Sequence, residues 1–143
     1  MKYVIFQISG ESFGVDIQSA VSIEKRLPIT RVPLAPDYLV GVINLRGEII
    51  PIINPSALLK QDDGGDLSNF HKVLIVSRED YKIGLLIGNE VSIVDIDEHL
   101  IQRDAVDLSE SDKMYISGII RHQERIVNIL NVEKLTTPEK VMI

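Results

Sequence analysis

The residues best suited to acid–base or metal chemistry lie too far apart in the sequence to suggest a site. His71, His99 and His122 lack the short spacing of metal-binding imidazoles, and the chain has no cysteine to complete a zinc set. Residues 62–66 have the composition of a calcium loop but lack its downstream glutamate, and they are typical of a solvated linker. Residues 109–112 place no base beside a nucleophile. The sequence therefore predicts no enzyme activity, no metal site and no cofactor.

Arg46 is the clearest candidate for a binding residue. Together with Gly47 it stands between two strand-like runs, residues 42–46 and 48–53, and therefore at the predicted tip of a hairpin. Gly47 permits the positive φ that such a tight turn needs. The guanidinium would present a planar fork of donors that suits carboxylates or carbonyl oxygens. Hairpin tips are also often simply solvated, and this alternative stays open.

The composition is that of an ordinary globular protein and argues against several classes of partner. Hydrophobic residues make up 45% of the 143 residues and charged residues 25%. The net charge of −6, without clustered Lys and Arg, argues against binding to nucleic acid or to an anionic membrane surface. No apolar run approaches the roughly 20 residues of a membrane span. Together with the absence of cysteine, these features predict a cytoplasmic protein with a single domain, residues 1–143.

The chain matches itself at two offsets, which indicates an internal repeat. At an offset of 70 residues, residues 21–23 fall on residues 91–93, and at an offset of 77 a second block aligns. Chance is the alternative explanation for matches among abundant aliphatic residues. The matches of rarer residue types pair Gly14 with Gly84, Tyr38 with Tyr115, Gly41 with Gly118 and Asn54 with Asn131. Because these matches occur in order, we predict two similar units of about 65 residues each.

Strand signals dominate within each unit. Runs rich in β-branched residues alternate with short polar or glycine-containing turns. We therefore expect an all-β fold of small closed or nearly closed barrels with short helical turns, whose halves share an interface. Residues 1–60 are predicted to form mainly the first barrel and residues 71–135 mainly the second, with the polar, glycine-rich residues 61–70 as the linker.

Residues 41–54, GVINLRGEIIPIIN, strongly resemble the signature of the CheW family, which includes the chemotaxis coupling protein, the regulatory domain of the kinase CheA and the CheV adaptors. The segments YVIFQISGESFGVDI, KIGLLIGNEVSIVDI and GIIRHQERIVNILNVEKL resemble successive blocks of the same family. The resemblance implies two SH3-like five-stranded β-barrel subdomains packed together. Since the chain starts and ends with this one domain, we expect the stand-alone coupling protein. Ser22 stands where family members often carry an acidic residue.

The resemblance also implies function and binding residues. The chain is expected to be an adaptor that binds the CheW-like regulatory domain of the histidine kinase CheA and the cytoplasmic tips of chemoreceptors, in the cytoplasm beside membrane receptor arrays. A receptor tip is expected to dock against the first barrel, because Arg46 matches a family residue implicated in receptor binding. The expected receptor-binding residues are Ala20, Ser22, Ile23, Gly41, Val42, Asn44 and Arg46. The expected kinase-binding residues, from the loops at 10–14 and 26–34, are Phe13, Gly14 and Ile29.

A small-ligand-binding β module is the alternative interpretation, because small barrels host many unrelated functions. Such a module needs aromatic and polar groups that converge on one pocket. The chain has only three Phe, four Tyr and no Trp to supply the aromatic part. The adaptor is therefore the favoured hypothesis.

Overall fold

Ten β-strands make up most of the described chain, in keeping with its many β-branched residues. The structure is a computed structural model and describes residues 1–8, 10–25, 28–59, 72–103 and 114–136. The strands are β1 (Lys2–Ile8), β2 (Glu11–Asp16), β3 (Ala20–Lys25), β4 (Leu39–Leu45), β5 (Glu48–Ile53), β6 (Lys72–Arg78), β7 (Tyr81–Ile87), β8 (Val91–Asp95), β9 (Ile116–His122) and β10 (Arg125–Leu130). The short helical turns are α1 (Pro55–Leu58), α2 (Val132–Leu135) and the 3₁₀ segments Ile17–Ser19 and Glu98–Leu100.

The strands form two five-stranded sheets with the same arrangement. The first sheet has the order β3-β6-β7-β5-β4, and the second sheet has the order β8-β1-β2-β10-β9. Neighbouring strands are antiparallel except for one parallel pair in each sheet, β5 with β7 and β10 with β2. Within the described residues the end strands of a sheet do not pair with each other, so the sheets are open. The predicted all-β fold of two SH3-like five-stranded units is confirmed, although the barrels are not closed.

The two halves of the chain exchange their first hairpins between the sheets. The β1–β2 hairpin joins β8, β9 and β10 in the second sheet, while the β6–β7 hairpin joins β3, β4 and β5 in the first. Each half thus supplies three strands of one sheet and two of the other, an exchange that the predicted division, mainly residues 1–60 in one barrel and mainly residues 71–135 in the other, did not include. Identity between repeats shows which segments are equivalent, but it does not show which of them pair. The predicted linker, residues 61–70, lies outside the described residues.

Gly14 and Gly84 occupy equivalent positions in the two sheets, which supports the internal repeat. Gly14 on β2 lies opposite Ile129 of β10, and Gly84 on β7 lies opposite Ile52 of β5. A Cβ atom on Gly84 would lie 2.5 Å from Cδ1 of Ile52, and one on Gly14 would lie 3.2 Å from Cδ1 of Ile129. In each sheet the glycine therefore leaves space for an isoleucine of the parallel strand.

The matched tyrosine–asparagine pairs also have equivalent roles. The backbone N of Asn54 donates to the carbonyl oxygen of Tyr38 at 2.8 Å, and that of Asn131 donates to Tyr115 at the same distance. Both asparagine side chains then cap the helical turn that follows, α1 after Asn54 and α2 after Asn131. Capping satisfies backbone N–H groups that the first turn of a helix leaves without partners. The repeat therefore extends to hydrogen bonds that fix the ends of β5 and β10.

The β6–β7 hairpin lies at the centre of the core. Residues 73–76 and 85–87 are fully buried, as is Ile83. The same cluster of buried side chains continues into the second sheet through Phe6 and Phe13, whose stacked rings have centroids 6.3 Å apart. Because one cluster draws on both sheets, the two units share a core, and neither sheet buries its apolar residues alone.

Candidate functional site

Arg46 lies at the tip of the β4–β5 hairpin. Arg46 and Gly47 have φ values of 52° and 88°, and positive φ at both residues of a two-residue loop is typical of a type I′ turn. The Oδ1 atom of Asn44 accepts a hydrogen bond from the backbone N of Gly47 at 3.0 Å, which holds the turn in place. The Arg46 side chain is 72% exposed. The hairpin therefore presents the guanidinium to solvent from a well-held backbone.

An ion pair joins this hairpin to the other end of the first sheet. The Nη2 atom of Arg46 lies 3.6 Å from Oε2 of Glu24, whose side chain is only 18% exposed. Glu24 belongs to β3 and Arg46 follows β4, and these are the two end strands of the sheet, so the pair spans its open side. Glu24 was not among the residues predicted from the sequence. Since alternate residues of a strand share a face, its position two residues after Ser22, a predicted binding residue, was the signal for it.

Strand β3 also carries exposed aliphatic side chains, and Ile23 lies on the face opposite Glu24. Its residues alternate between half-buried positions (Ala20, Ser22, Glu24) and exposed positions (Val21, Ile23, Lys25). Ile23 keeps 42% of its surface exposed. The Oγ atom of Ser22 is buried and makes no hydrogen bond within the described part of the chain. Of the predicted receptor-binding residues on β3, Ile23 therefore offers the most surface to a partner.

Gly41 and Val42 hold a neighbouring segment against the edge of β4. Thr30 and Val42 exchange two backbone hydrogen bonds of 2.9 and 2.8 Å. A Cβ atom on Gly41 would overlap the carbonyl oxygen of Thr30 and lie 2.7 Å from Cγ2 of Ile29. Gly41 is buried and Val42 is half-buried. The structure thus gives Gly41 a packing role, since its missing side chain allows the segment at Thr30 to approach β4.

The three predicted kinase-binding residues do not share one surface. Phe13 is fully buried and stacks on Phe6, and Gly14 is buried beside Ile5 and Ile129. A fully buried ring offers no area to a partner, so Phe13 and Gly14 are reassigned to the core. Ile29 is half-buried and packs against the main cluster of buried side chains. Only Ile29 keeps surface for a partner.

The equivalent hairpin of the second sheet has the same backbone but different side chains. Gln123 and Glu124, in the β9–β10 turn, have φ values of 50° and 63°, again typical of a type I′ turn. At the repeat offsets, Gln123 takes the place of Arg46, and Val94 takes the place of Glu24. This pair of residues cannot form an ion pair. The turn geometry is therefore a property of the repeat, whereas the charged bridge belongs to the first sheet.

A cavity of about 790 Å³ opens between β8 and the β9–β10 hairpin of the second sheet. Its floor includes Phe6 and Val127, which are buried, and its rim includes Glu90, His122 and Arg125. None of these three rim side chains has a hydrogen bond or ion pair within the described residues. This cavity was not predictable from local sequence patterns, because its lining comes from segments that meet only through the exchange of hairpins.

A second cavity, of about 410 Å³, contains a buried tyrosine and several charged groups. The hydroxyl of Tyr3 donates to Oε1 of Glu98 at 3.3 Å. Burial raises the pKa of Tyr3 above its usual 10.0, and the negative charge of Glu98 adds to the rise. Across this cavity Arg78 pairs with Glu133 at 3.7 Å. Of these contacts, the Arg78–Glu133 pair joins β6 of the first sheet to α2, and none of them places a nucleophile beside a base.

Neither a metal-binding cluster nor a membrane-spanning helix is present in the described residues. No three His, Asp or Glu side chains come together there in a way that could hold a metal ion. His71 and residues 62–66 lie outside those residues. Across the same ranges, no helix has both the length and the apolar character needed to cross a bilayer.

The sequence and the fold were compared with known proteins. The model of the CheW-like domain matches residues 2–139. The chemotaxis protein CheW of Treponema pallidum is 30% identical, with 96% of this chain and 83% of that protein aligned. The chemotaxis protein CheW of Helicobacter pylori is also 30% identical, with 94% and 81% aligned.

A solved structure has the same fold over nearly the whole chain. The crystal structure of the scaffolding protein TtCheW from Thermoanaerobacter tengcongensis superposes with a TM-score of 0.84 at 27% sequence identity. The match covers 99% of this chain and 91% of that one. The family resemblance of residues 41–54 thus extends to the whole sequence and to the exchanged-hairpin fold. The chain belongs to the CheW family, a family of non-catalytic chemotaxis scaffold proteins.

Proposed function

We propose that this chain couples chemoreceptors to the histidine kinase CheA by binding both. The observation that supports this most directly is the exposed Arg46 guanidinium, which is held on a fixed turn and paired with Glu24 of β3, a strand that also exposes aliphatic side chains. Such a surface suits a protein partner, because it combines apolar anchors with a charged group at the rim. The mechanism is positional: the adaptor holds the kinase beside the receptor tips and performs no chemistry of its own.

The receptor tip is proposed to bind the surface formed by β3 and the β4–β5 hairpin, which we call the Arg46 face. Ile23 supplies the main apolar anchor, with smaller contributions from the half-buried Ala20 and Val42. An amphipathic helix laid against this surface would bury these side chains and bring its polar groups to Arg46 and Asn44. The remaining predicted residues, Ser22 and Gly41, act here mainly by shaping β3 and the edge of β4.

The kinase is proposed to bind a different surface, through its own CheW-like regulatory domain. Of the residues expected to take part, Ile29 is retained, and Phe13 and Gly14 are not, because they lie in the core. Two separate faces are what an adaptor needs, since both partners must be held at the same time. The proposed location is the cytoplasm, beside the membrane arrays that the receptors form, without insertion into the bilayer and without contact to nucleic acid.

Binding assays with purified partners test this proposal. The full chain would be immobilised and exposed to the kinase and to a cytoplasmic receptor fragment, first separately and then together. We expect each partner to bind alone and both to be retained together, because the two faces do not overlap. Failure to bind either partner would overturn the proposed function. Binding of only one partner at a time would show that the faces overlap and that coupling requires another arrangement.

The 790 Å³ cavity supports a small-ligand-binding module as the second candidate function. Its apolar floor and polar rim are typical of small-molecule sites. Its rim charges, Glu90 and Arg125, are both exposed, which favours a weakly held ligand. A thermal-shift screen against metabolites separates the two functions. Strong stabilisation of the chain by one compound, lost on truncating the rim side chains, would favour the ligand-binding module.

A further inference from the structure

Leu34 occupies a position that is unfavourable for a leucine in two independent ways. Its backbone φ is +59°, in the left-handed region that residues other than glycine and asparagine rarely adopt. Its side chain is also fully exposed, more so than any other large apolar side chain of the described residues. Isolated exposed leucines are common and need no explanation. An exposed leucine that also carries backbone strain is a candidate for function.

The turn that contains Leu34 has a backbone conformation that a residue other than leucine would adopt more easily at this position. Pro33 and Leu34 form the centre of a turn, and proline followed by a positive φ is the pattern of a type II turn. The second central position of such a turn favours glycine or asparagine. Neither would expose an aliphatic side chain. The leucine therefore has no benefit for folding that the structure reveals.

The loop around Leu34 is held in place, so the backbone position from which its side chain projects is fixed. Val32 and Ala35, on either side of the turn, pack against the main cluster of buried side chains. Upstream, Thr30 is hydrogen-bonded to Val42 on β4, and downstream, the N–H of Leu39 donates to the carbonyl oxygen of Pro36 at 3.0 Å. A loop held in this way loses little backbone freedom when Leu34 binds, which favours affinity.

The place of Leu34 in the fold separates it from the Arg46 face. The loop of Leu34 leads into the start of β4, whereas Arg46 follows the end of that strand. A seven-residue strand spans roughly 20 Å. One side chain of a receptor helix cannot reach both ends. Leu34 does, however, lie five residues after Ile29, in the same connection between β3 and β4. Ile29 is the one proposed kinase-binding residue that keeps exposed surface.

We infer that Leu34 is an apolar anchor that inserts into a hydrophobic pocket on the kinase's CheW-like regulatory domain, an inference that rests on the proposed function. A single projecting side chain suits a pocket on a protein and cannot enclose a small molecule. The net charge of −6 disfavours an anionic membrane surface as the occupant. A second copy of this chain is also disfavoured, because charged residues such as Arg125 and Glu133 rim the cavities described above.

Replacing Leu34 by asparagine tests this inference because stability and binding should change in opposite directions. Asparagine tolerates the left-handed region, so the thermal midpoint of L34N should rise by a few degrees. Affinity for the kinase, titrated calorimetrically with the full chain, should fall about tenfold or more. Affinity for a receptor fragment should stay within about twofold of wild type. The matched control is Leu100→Asn, which alters an exposed leucine with an ordinary φ. It should leave both affinities unchanged and should not raise the thermal midpoint.

Each other outcome has a defined meaning. Unchanged kinase binding by L34N, with normal binding by wild type, overturns the inference while the proposed function stands. A lowered or unchanged midpoint shows that Leu34 is not strained, and this also overturns it. If L34N loses receptor binding, the anchor belongs to the receptor interface, and if it loses self-association measured by sedimentation, the anchor belongs to an interface between copies of this chain. Either result would reject the kinase as the partner of Leu34. If wild-type chain binds no kinase at all, the proposed function and this inference fall together.

Discussion

The guanidinium of Arg46 and the carboxylate of Glu24 bridge the open side of the first sheet, with Nη2 of the arginine 3.6 Å from Oε2 of the glutamate. This distance is that of an ion pair and is too long for a hydrogen bond. The other guanidinium donors make no contact within the described part of the chain, so they are available to a partner. Arg46 can therefore be held in place by Glu24 and still bind a carboxylate or carbonyl group of a receptor.

Replacing Arg46 by glutamate should weaken receptor binding and leave the fold intact. We expect affinity for a receptor cytoplasmic fragment to fall about tenfold or more, because a donor is replaced by a charge that also repels Glu24. The free energy of unfolding should fall by no more than about 2 kcal/mol, because the Arg46 side chain is exposed although the carboxylate of Glu24, which loses its partner, is mostly buried. Calorimetric titration and urea unfolding measure the two quantities. Arg121→Glu, on the exposed side of the second hairpin, is the control and should keep receptor affinity. If Arg46→Glu unfolds instead, Arg46 is structural and the site assignment is wrong.

Exchanging the two charges separates the ion pair from the guanidinium itself. The double variant Glu24→Arg/Arg46→Glu keeps one positive and one negative charge across the open side of the sheet. If the receptor contacts the guanidinium at the tip, the double variant should bind the receptor as weakly as Arg46→Glu alone. Its urea midpoint should return towards that of wild type. Recovery of receptor affinity in the double variant would instead show that receptor binding requires only the bridge.

The hairpins were predictable from the sequence, but their pairing across the sheets was not. Gly47 beside Arg46 marks a tight turn, and period-two runs of aliphatic residues mark strands, so both the fold class and the turn followed from local signals. The exchange of β1–β2 with β6–β7 depends on contacts between residues 32 to 115 positions apart, from Ile52 with Gly84 to Gly14 with Ile129. Local patterns carry no information about such pairs. For that reason the exchange of hairpins was not predicted.

Substituting alanine for each of the two equivalent glycines should reveal their different clearances. A Cβ atom on Gly84 would lie 2.5 Å from the nearest side-chain atom, on Ile52, whereas one on Gly14 would lie 3.0 Å from the nearest, on Ile5. Gly84→Ala should therefore lower the free energy of unfolding by about 1–3 kcal/mol, as overpacking of a core does. Gly14→Ala should cost less, because the side chains around Gly14 need to move by only a few tenths of an ångström. Urea unfolding of both variants measures this difference, and equal or reversed costs would contradict it.

The candidate site was only partly predictable because surface exposure depends on the completed fold. Arg46 was recognisable from a hairpin turn and from its residue type. In the sequence Phe13 lies in the predicted loop at 10–14, yet in the structure it is buried against Phe6. Leu34 belongs to the loop at 26–34, which was predicted to bind the kinase, but its strain appears only in the backbone dihedral φ. Sequence patterns thus located the loops, whereas the structure decided which side chains within them face solvent.

The alkaline stability of the chain should depend on Tyr3. Burial, with the charge of Glu98, raises the pKa of Tyr3 in the folded chain above its usual 10.0. The folded state therefore favours the neutral phenol, and this contribution is full below the unfolded pKa and is lost as pH rises through the folded one. Between about pH 8 and about pH 11, the urea midpoint of wild type should fall further than that of Tyr3→Phe. Tyr81→Phe, at an exposed position, is the control and should follow wild type. Parallel curves for wild type and Tyr3→Phe would show that Tyr3 ionises as readily in the folded chain as in the unfolded one.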